Sequence, residues 1–350
     1  MAQSRAERAH TAGYAELLHQ VQELALHRRR YAYYWTSFTA AAVTLAGLGA
    51  AVVLVGNSWF QLVIATLLAV VLAQLGFLGH DAAHRQVFAS ARWNEWAARI
   101  VSGLFAGLSY GWWVSKHNRH HSGPNQIGRD PDVGPGVLAL TPQAAHVRTG
   151  AAAAFTRRQG WLLFLLLPFE GVNLHVQGVR RVLGRAPLRF RAVEAGFLAV
   201  RLGGYVTALL LMLPPGKAAA FLAVQLGVFG VLLGGAFAPN HIGMPVVPAD
   251  ARPDFLRRQV LMSRNVTGGP LVAFFMGGLQ NQIEHHLFPN MPRPALARAR
   301  PVVLEYCRRH GIGYTQASLG QAYGSVVRHL NTMGLQDRDP FVCPLVALTR

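Results

Sequence analysis

The sequence predicts an all-α integral membrane protein with four transmembrane helices in two hairpins and a helical cap on the cytoplasmic side. Three observations support that fold class. Of 350 residues, 52% are hydrophobic and only 14% are charged, against about 25% charged in an ordinary soluble domain. The charge is lopsided, with 33 Lys+Arg against 15 Asp+Glu, and a basic excess in an apolar chain marks cytoplasmic segments. From Tyr31 to Gly79 there is no charged residue at all.

As one helix, that charge-free stretch would run roughly 70 Å, more than twice the hydrocarbon thickness. It must fold back, and Gly56-Asn57-Ser58 is the turn. This gives spans over 35–56 and 59–79. His27-Arg28-Arg29-Arg30 precedes the first, and Arg85, Arg92 and Arg99 follow the second, while the turn is uncharged. Both outer ends therefore belong in the cytoplasm. Tyr31, Tyr33, Tyr34 and Trp35 suit an interfacial belt. A second hairpin is expected over 194–213 and 218–238, broken at Pro214-Pro215-Gly216, with only Lys217 charged at its turn.

Two further apolar stretches are read as non-spanning, 100–114 as an interfacial or re-entrant helix and 161–179 as in-plane. Residues 100–114 are short, Gly-rich and end in Trp112-Trp113; residues 161–179 are interrupted by Glu170, Asn173, His175 and Gln177. Residues 1–34 form a basic segment whose amphipathic helix (Leu17, Leu18, Val21, Leu24, Leu26) is suited to the membrane surface. Its apolar successor starts too late and runs too long for a signal peptide. Residues 35–300 make the membrane domain and 301–350 a basic cytoplasmic tail. Cys307 and Cys343, far from any CxxC, read as reduced thiols. The arginines are scattered through apolar sequence without a nucleic-acid module, so no nucleic-acid partner is expected.

The chemistry lies in the distribution of the histidines. His80 and His84 follow the second span, His117, His120 and His121 follow the tryptophan pair, and Gln282, His285 and His286 come after the fourth span. Spacings of three and four place each group on one helix face. His241 closes the fourth span. Eight histidines exceed what one ion can use, so two ions are expected, and imidazole without thiolate suits iron, copper, zinc or nickel. With 161–179 in-plane, all of these groups fall on the same side of the membrane.

In order and spacing, these clusters resemble the three histidine boxes of the membrane fatty acid desaturases. The similar words are His80-Asp81-x-x-His84; His117-Asn118-Arg119-His120-His121 leading to Pro124-Asn125 and Asp130-Pro131-Asp132; and Asn281-Gln282-Ile283-Glu284-His285-His286-Leu287-Phe288-Pro289. The resemblance runs from about Trp35 to Arg300. It implies a di-iron centre and O2-dependent insertion of a cis double bond into a fatty acyl chain, lipid-linked or carried on CoA. His80, His84, His117, His120, His121, His241, His285 and His286 would be the iron ligands.

Gln282 stands where many members have histidine, as in acyl-lipid and front-end members. It either binds metal weakly through its carbonyl oxygen or holds a ligand by a hydrogen bond. Asp81, Glu284, Asp130 and Asp132 are candidates to orient imidazoles through their other nitrogen. Many eukaryotic front-end members carry a fused b-type cytochrome, for which the first 34 residues are too short. Electrons are therefore expected from a ferredoxin or similar small acidic carrier docking on the basic face, which would also attract anionic membrane lipids. A hydroxylase or ketolase would use the same histidines. A His-rich metal transporter fits less well, because transporter ligands sit near the bilayer midplane and these groups lie at helix ends.

Overall fold

The computed structural model describes residues 5–333, so Cys343 and the end of the basic tail lie outside the described residues. The helices, in chain order, begin with α1 (Arg5–Glu23), α2 (Tyr31–Val55), α3 (Gln61–Ala83) and α4 (Ala91–Arg99), which runs on into a π turn over Ile100–Phe105. Next come α5 (Tyr110–Ser122), the short α6 (Pro142–His146) and α7 (Gly150–Thr156), and then α8 (Gln159–Leu183). A second π turn, Ala199–Gly204, joins α9 (Arg191–Leu198) to α10 (Tyr205–Met212), and α11 (Pro215–His241) follows. The remainder is α12 (Phe255–Leu261), β1 (Asn265–Thr267), α13 (Pro270–Phe275), α14 (Gln282–Leu287), α15 (Arg293–Arg309), β2 (Gln316–Ser318) and α16 (Leu319–Met333). The chain divides into two compact units.

The hairpin unit comprises Arg29–Ser115 and Leu166–Gly235. It contains α2 and α3, joined through Gly56 at a φ of 56°, a conformation that glycine adopts without cost. Leu48 and Val52 of α2, Ile64 and Ala65 of α3, Leu209 of α10 and Phe221 of α11 share one apolar cluster. Lys217 donates to both the backbone carbonyl (2.9 Å) and the side-chain oxygen (2.6 Å) of Asn57, so the turns of the two expected hairpins lie side by side. α8 approaches α11 backbone to backbone. A Cβ on Gly171 would sit 2.2 Å from the Leu226 carbonyl oxygen, and one on Gly230 would sit 2.5 Å from the Gly171 nitrogen.

Among the described residues, five helical stretches are long and apolar enough to cross a bilayer, one more than the four expected. The additional one is α8, whose 25 residues run through 161–179 without a break despite Pro168. Its polar residues are paired along one face: Asn173 donates to Glu170 at 3.0 Å and Gln177 to Asn173 at 3.4 Å. Mutual hydrogen bonding is how a polar stripe survives in an apolar helix. Length and composition alone do not separate an in-plane helix from a crossing one.

The histidine-rich unit comprises the described parts of Met1–Arg28, Lys116–Leu165 and Ala236–Arg350. Its core joins Leu17, Val21 and Leu26 to Leu256 and Val260 of α12, Ile283 and Leu287 of α14, and Leu296 and Val303 of α15. This corrects the expectation that the apolar face of α1 lies on the membrane surface. Protein covers that face, burying Leu17 and Val21 completely, while Leu24 stays 50% exposed. The protein surface removes the same apolar area from water that lipid would. It also supplies directional bonds that lipid chains cannot: Tyr14 donates to the Leu287 carbonyl at 2.9 Å and Tyr306 to the Gly13 carbonyl at 2.7 Å. β1 and β2 pair in parallel, Asn265 opposite Gln316.

Candidate metal centre

Six of the predicted histidines come together in the histidine-rich unit. α5 carries His117, His120 and His121, α11 ends on His241, and α14 carries His285 and His286. Every residue of α14 is buried. Burying such a polar helix is costly unless each imidazole finds partners.

For three of them the Nδ1 partner is explicit. His120 Nδ1 meets Asp130 at 2.8 Å, His241 Nδ1 meets the Met262 carbonyl at 2.9 Å, and His286 Nδ1 meets Gln259 Oε1 at 3.0 Å. An imidazole donating from Nδ1 presents its lone pair at Nε2, the arrangement that metal-ligating histidines use. His120, His241 and His286 each offer one ring nitrogen, all within 4.8 Å of one another, and the Nε2 atoms of His120 and His241 are 3.3 Å apart. A second group has His121 Nε2 3.0 Å from His117 Nε2 and 3.1 Å from His285 Nε2.

These separations fit metal ions. Two imidazole nitrogens each about 2.1 Å from one ion stand about 3.0 Å apart at a right angle and about 3.4 Å apart at the tetrahedral angle. His286 Nε2 is buried without a hydrogen-bond partner, a position that costs free energy in a bare protein and none when a cation takes the lone pair. Burial, then the neighbouring His121, His241 and His120, hold the His286 pKa well below its ordinary value. That keeps the ring neutral and able to coordinate. For His120 burial works in the same direction, but the hydrogen bond and charge of Asp130, joined by Asp132, outweigh it and raise the pKa. Burial likewise opposes the Asp130 charge, yet its bond to His120 leaves the carboxyl below its ordinary range.

The other sequence candidates fall as follows. Asp130 is the partner of His120, and Asp132 pairs with Lys116 at 2.5 Å while standing 3.4 Å from His120. Glu284 is fully buried and accepts from Asn265 at 2.8 Å and Tyr314 at 2.7 Å, so it braces α14 against β1 and the chain before β2. Burial raises its pKa despite those two bonds. Gln282 Nε2 stands 2.9 Å from His241 Nε2, and its Oε1 accepts from Asn240 at 3.2 Å. Its amide thus reaches the nitrogen through which His241 faces the site.

His80, Asp81 and His84 belong to the hairpin unit. His80 lies in the last turn of α3 and His84 caps it, with their rings 4.7 Å apart. Asp81 stands 3.5 Å from His80 Nδ1, and the Trp113 ring lies 5.4 Å from His80.

Sequence reasoning missed Gln259, which is fully buried; it bonds His286 and also donates to the His121 carbonyl at 2.9 Å. The available signal was faint, a lone amide between Leu256 and Val260 of a short helix.

A family model described as "Fatty acid desaturase" matches residues 57–318, most of the chain. The chain belongs to the fatty acid desaturase family. Among named relatives, this desaturase-family chain is similar to the acyl-lipid (9-3)-desaturase of Borago officinalis, 30% identical over 281 residues, covering 76% of this chain and 62% of that protein. It is 31% identical to the acyl-lipid (9-3)-desaturase of Physcomitrium patens over 275 residues, covering 76% of this chain and 52% of the relative. The Delta(8)-fatty-acid desaturase of Helianthus annuus is 27% identical over 299 residues, covering 81% and 65% respectively. The chain therefore spans between about half and two thirds of the length of these relatives.

Proposed function

We propose that the protein desaturates a fatty acyl chain, lipid-linked or carried on CoA, using O2 and two iron ions bound by the eight histidines that the sequence singles out. The observation that carries this reading is the pair of convergent Nε2 sets in the histidine-rich unit, with the Nδ1 atoms of His120, His241 and His286 already engaged. The relatives' names add acyl-lipid substrates.

An unactivated methylene gives side-chain acids and bases no handle, so bound iron supplies the oxidising chemistry. The chain's own residues orient and shelter the reaction. Asp130, the Met262 carbonyl and Gln259 fix which ring nitrogen faces inward. Burial of α14 excludes water, and Glu284 with Tyr314 and Asn265 keeps that helix from shifting. Electrons come from a ferredoxin or similar acidic carrier docking on a basic cytoplasmic face. In this reading four spans cross the bilayer as two hairpins, α8 lies in its plane and both termini are cytoplasmic.

The test is expression in a host of simple fatty acid composition, followed by mass-spectrometric location of any new double bond. A new hydroxyl or keto group, or an unchanged lipid profile from folded, iron-loaded protein, would sink the proposal.

A further inference from the structure

The hairpin unit contains a buried ion pair that none of the predicted chemistry uses. Arg99, at the end of α4, and Glu194, in the first turn of α9, are 3% and 2% exposed. Arg99 Nη1 donates to Glu194 Oε1. The same carboxylate accepts from the Ser109 hydroxyl at 2.5 Å and from the Gly111 backbone N–H at 3.0 Å. Ser109 Oγ in turn accepts from the Trp112 N–H at 3.2 Å, the bond of a helix N-cap. The Arg99 guanidinium also bonds Glu95 at 2.9 Å and lies 4.5 Å from the Tyr110 ring centroid and 5.0 Å from that of Phe190. Phe190, immediately before α9, sits in the left-handed region at a φ of 59°. A bulky side chain holds that conformation only when its surroundings enforce it.

Among the described residues, the side-chain hydrogen bonds of Glu194 outside the ion pair go to Ser109 and Gly111, at the start of α5. That helix is continuous from Tyr110 to Ser122 and bears His117, His120 and His121. These lie roughly 9, 14 and 15 Å beyond Gly111 along the axis. We propose that the Arg99–Glu194 pair is a positioning device, setting the rotation and rise of α5 and thereby the aim of its three imidazoles. This rests on the reading that those histidines bind metal.

The lever is steep. A rotation of about 20° moves a nitrogen roughly 6 Å from the helix axis by about 2 Å, and displacement by about 1 Å already ruins a catalytic constellation. Stability does not account for the pair, because well-packed apolar residues usually replace a buried ion pair without loss. Apolar residues lack the acceptors that hold Ser109 and Gly111. A carboxylate at a helix start also complements the helix dipole.

The experiment compares full-length wild type, Arg99→Met/Glu194→Leu, Glu194→Gln and Ser109→Ala in detergent. It reads iron per chain, kcat and KM, and hydrogen exchange of the 110–122 peptide. The apolar double variant should stay monodisperse, lose at least half its iron, exchange faster over 110–122, and fall at least tenfold in kcat with KM within about twofold. Glu194→Gln, which keeps the amide carbonyl as an acceptor, should recover iron towards wild type. If the double variant fails to fold, Ser109→Ala decides: it should speed exchange at the start of α5 and lower kcat several-fold at constant KM. Wild-type iron, exchange and kcat in a folded double variant, or in Ser109→Ala where the double does not fold, would overturn the assignment. Iron missing from wild type itself would instead remove the metal reading, and this inference with it.

Discussion

Replacing Gln259 with leucine tests the site through a residue that binds no metal. Leucine keeps most of the volume but removes the acceptor for His286 Nδ1 and the donor to the His121 carbonyl. Each buried group left unpaired costs roughly 1–3 kcal/mol. If about 2 kcal/mol of the total falls on the metal-bound orientation of His286, iron affinity drops about thirtyfold. This lies within the ten- to hundredfold range usual for residues that orient ligands. Glutamate at the same position keeps an acceptor for His286 but faces the His121 carbonyl with a second oxygen, so its effect should be intermediate. The assay is dialysis of purified protein against graded chelator, with iron per chain measured by mass spectrometry. The chelator concentration removing half the iron should fall about thirtyfold for Gln259→Leu and less for Gln259→Glu. A midpoint within threefold of wild type for the leucine variant would refute the idea that Gln259 aims His286.

Gln282→Ala should keep iron nearly intact and lose ten- to hundredfold in turnover, while Gln282→His should keep both irons and lose activity or change the product; iron loss in Gln282→Ala equal to that in His285→Ala would make the amide a ligand. Reporter fusions after residue 185 should report cytoplasm and those at Pro215 the opposite side, whereas an external signal at 185 would show that α8 crosses the bilayer. His329, buried on α16, has its pKa lowered to about 4 by burial and then by the Arg264 charge. Its folded pKa lies below the unfolded value near 6.5, so stability is present above pH 6.5 and is lost as pH falls towards 4, by about 3 kcal/mol. Thermal shifts of wild type and His329→Gln between pH 7.5 and 4.5 measure this, and parallel pH slopes would refute it.

Much of this protein was legible in its sequence because its signals are local. A charge-free run longer than two bilayers has to turn, and glycine at Gly56 with φ at 56° does so. Helical spacing aligns His117 with His121 and Gln282 with His285 and His286 before any fold is known. The family words around the third box pointed to the same chemistry. Other features were hidden because they depend on what covers a surface. The apolar stripe of α1 reads identically whether lipid or α15 buries it, and the structure chooses α15. The length and composition of α8 suit either crossing or lying in the plane, so its polar stripe alone had to carry the choice.

By itself, the sequence determined helix periodicity, the hairpin turns and which histidines are candidates to bind metal, since spacing and residue type depend only on neighbours in the chain. Only the tertiary structure decided which nitrogen of His120, His241 and His286 faces inward. Asp130, the Met262 carbonyl and Gln259 make that choice, and for His241 and His286 the partner lies 21 and 27 residues away. A hydrogen bond is satisfied by proximity in space, and no local pattern records it.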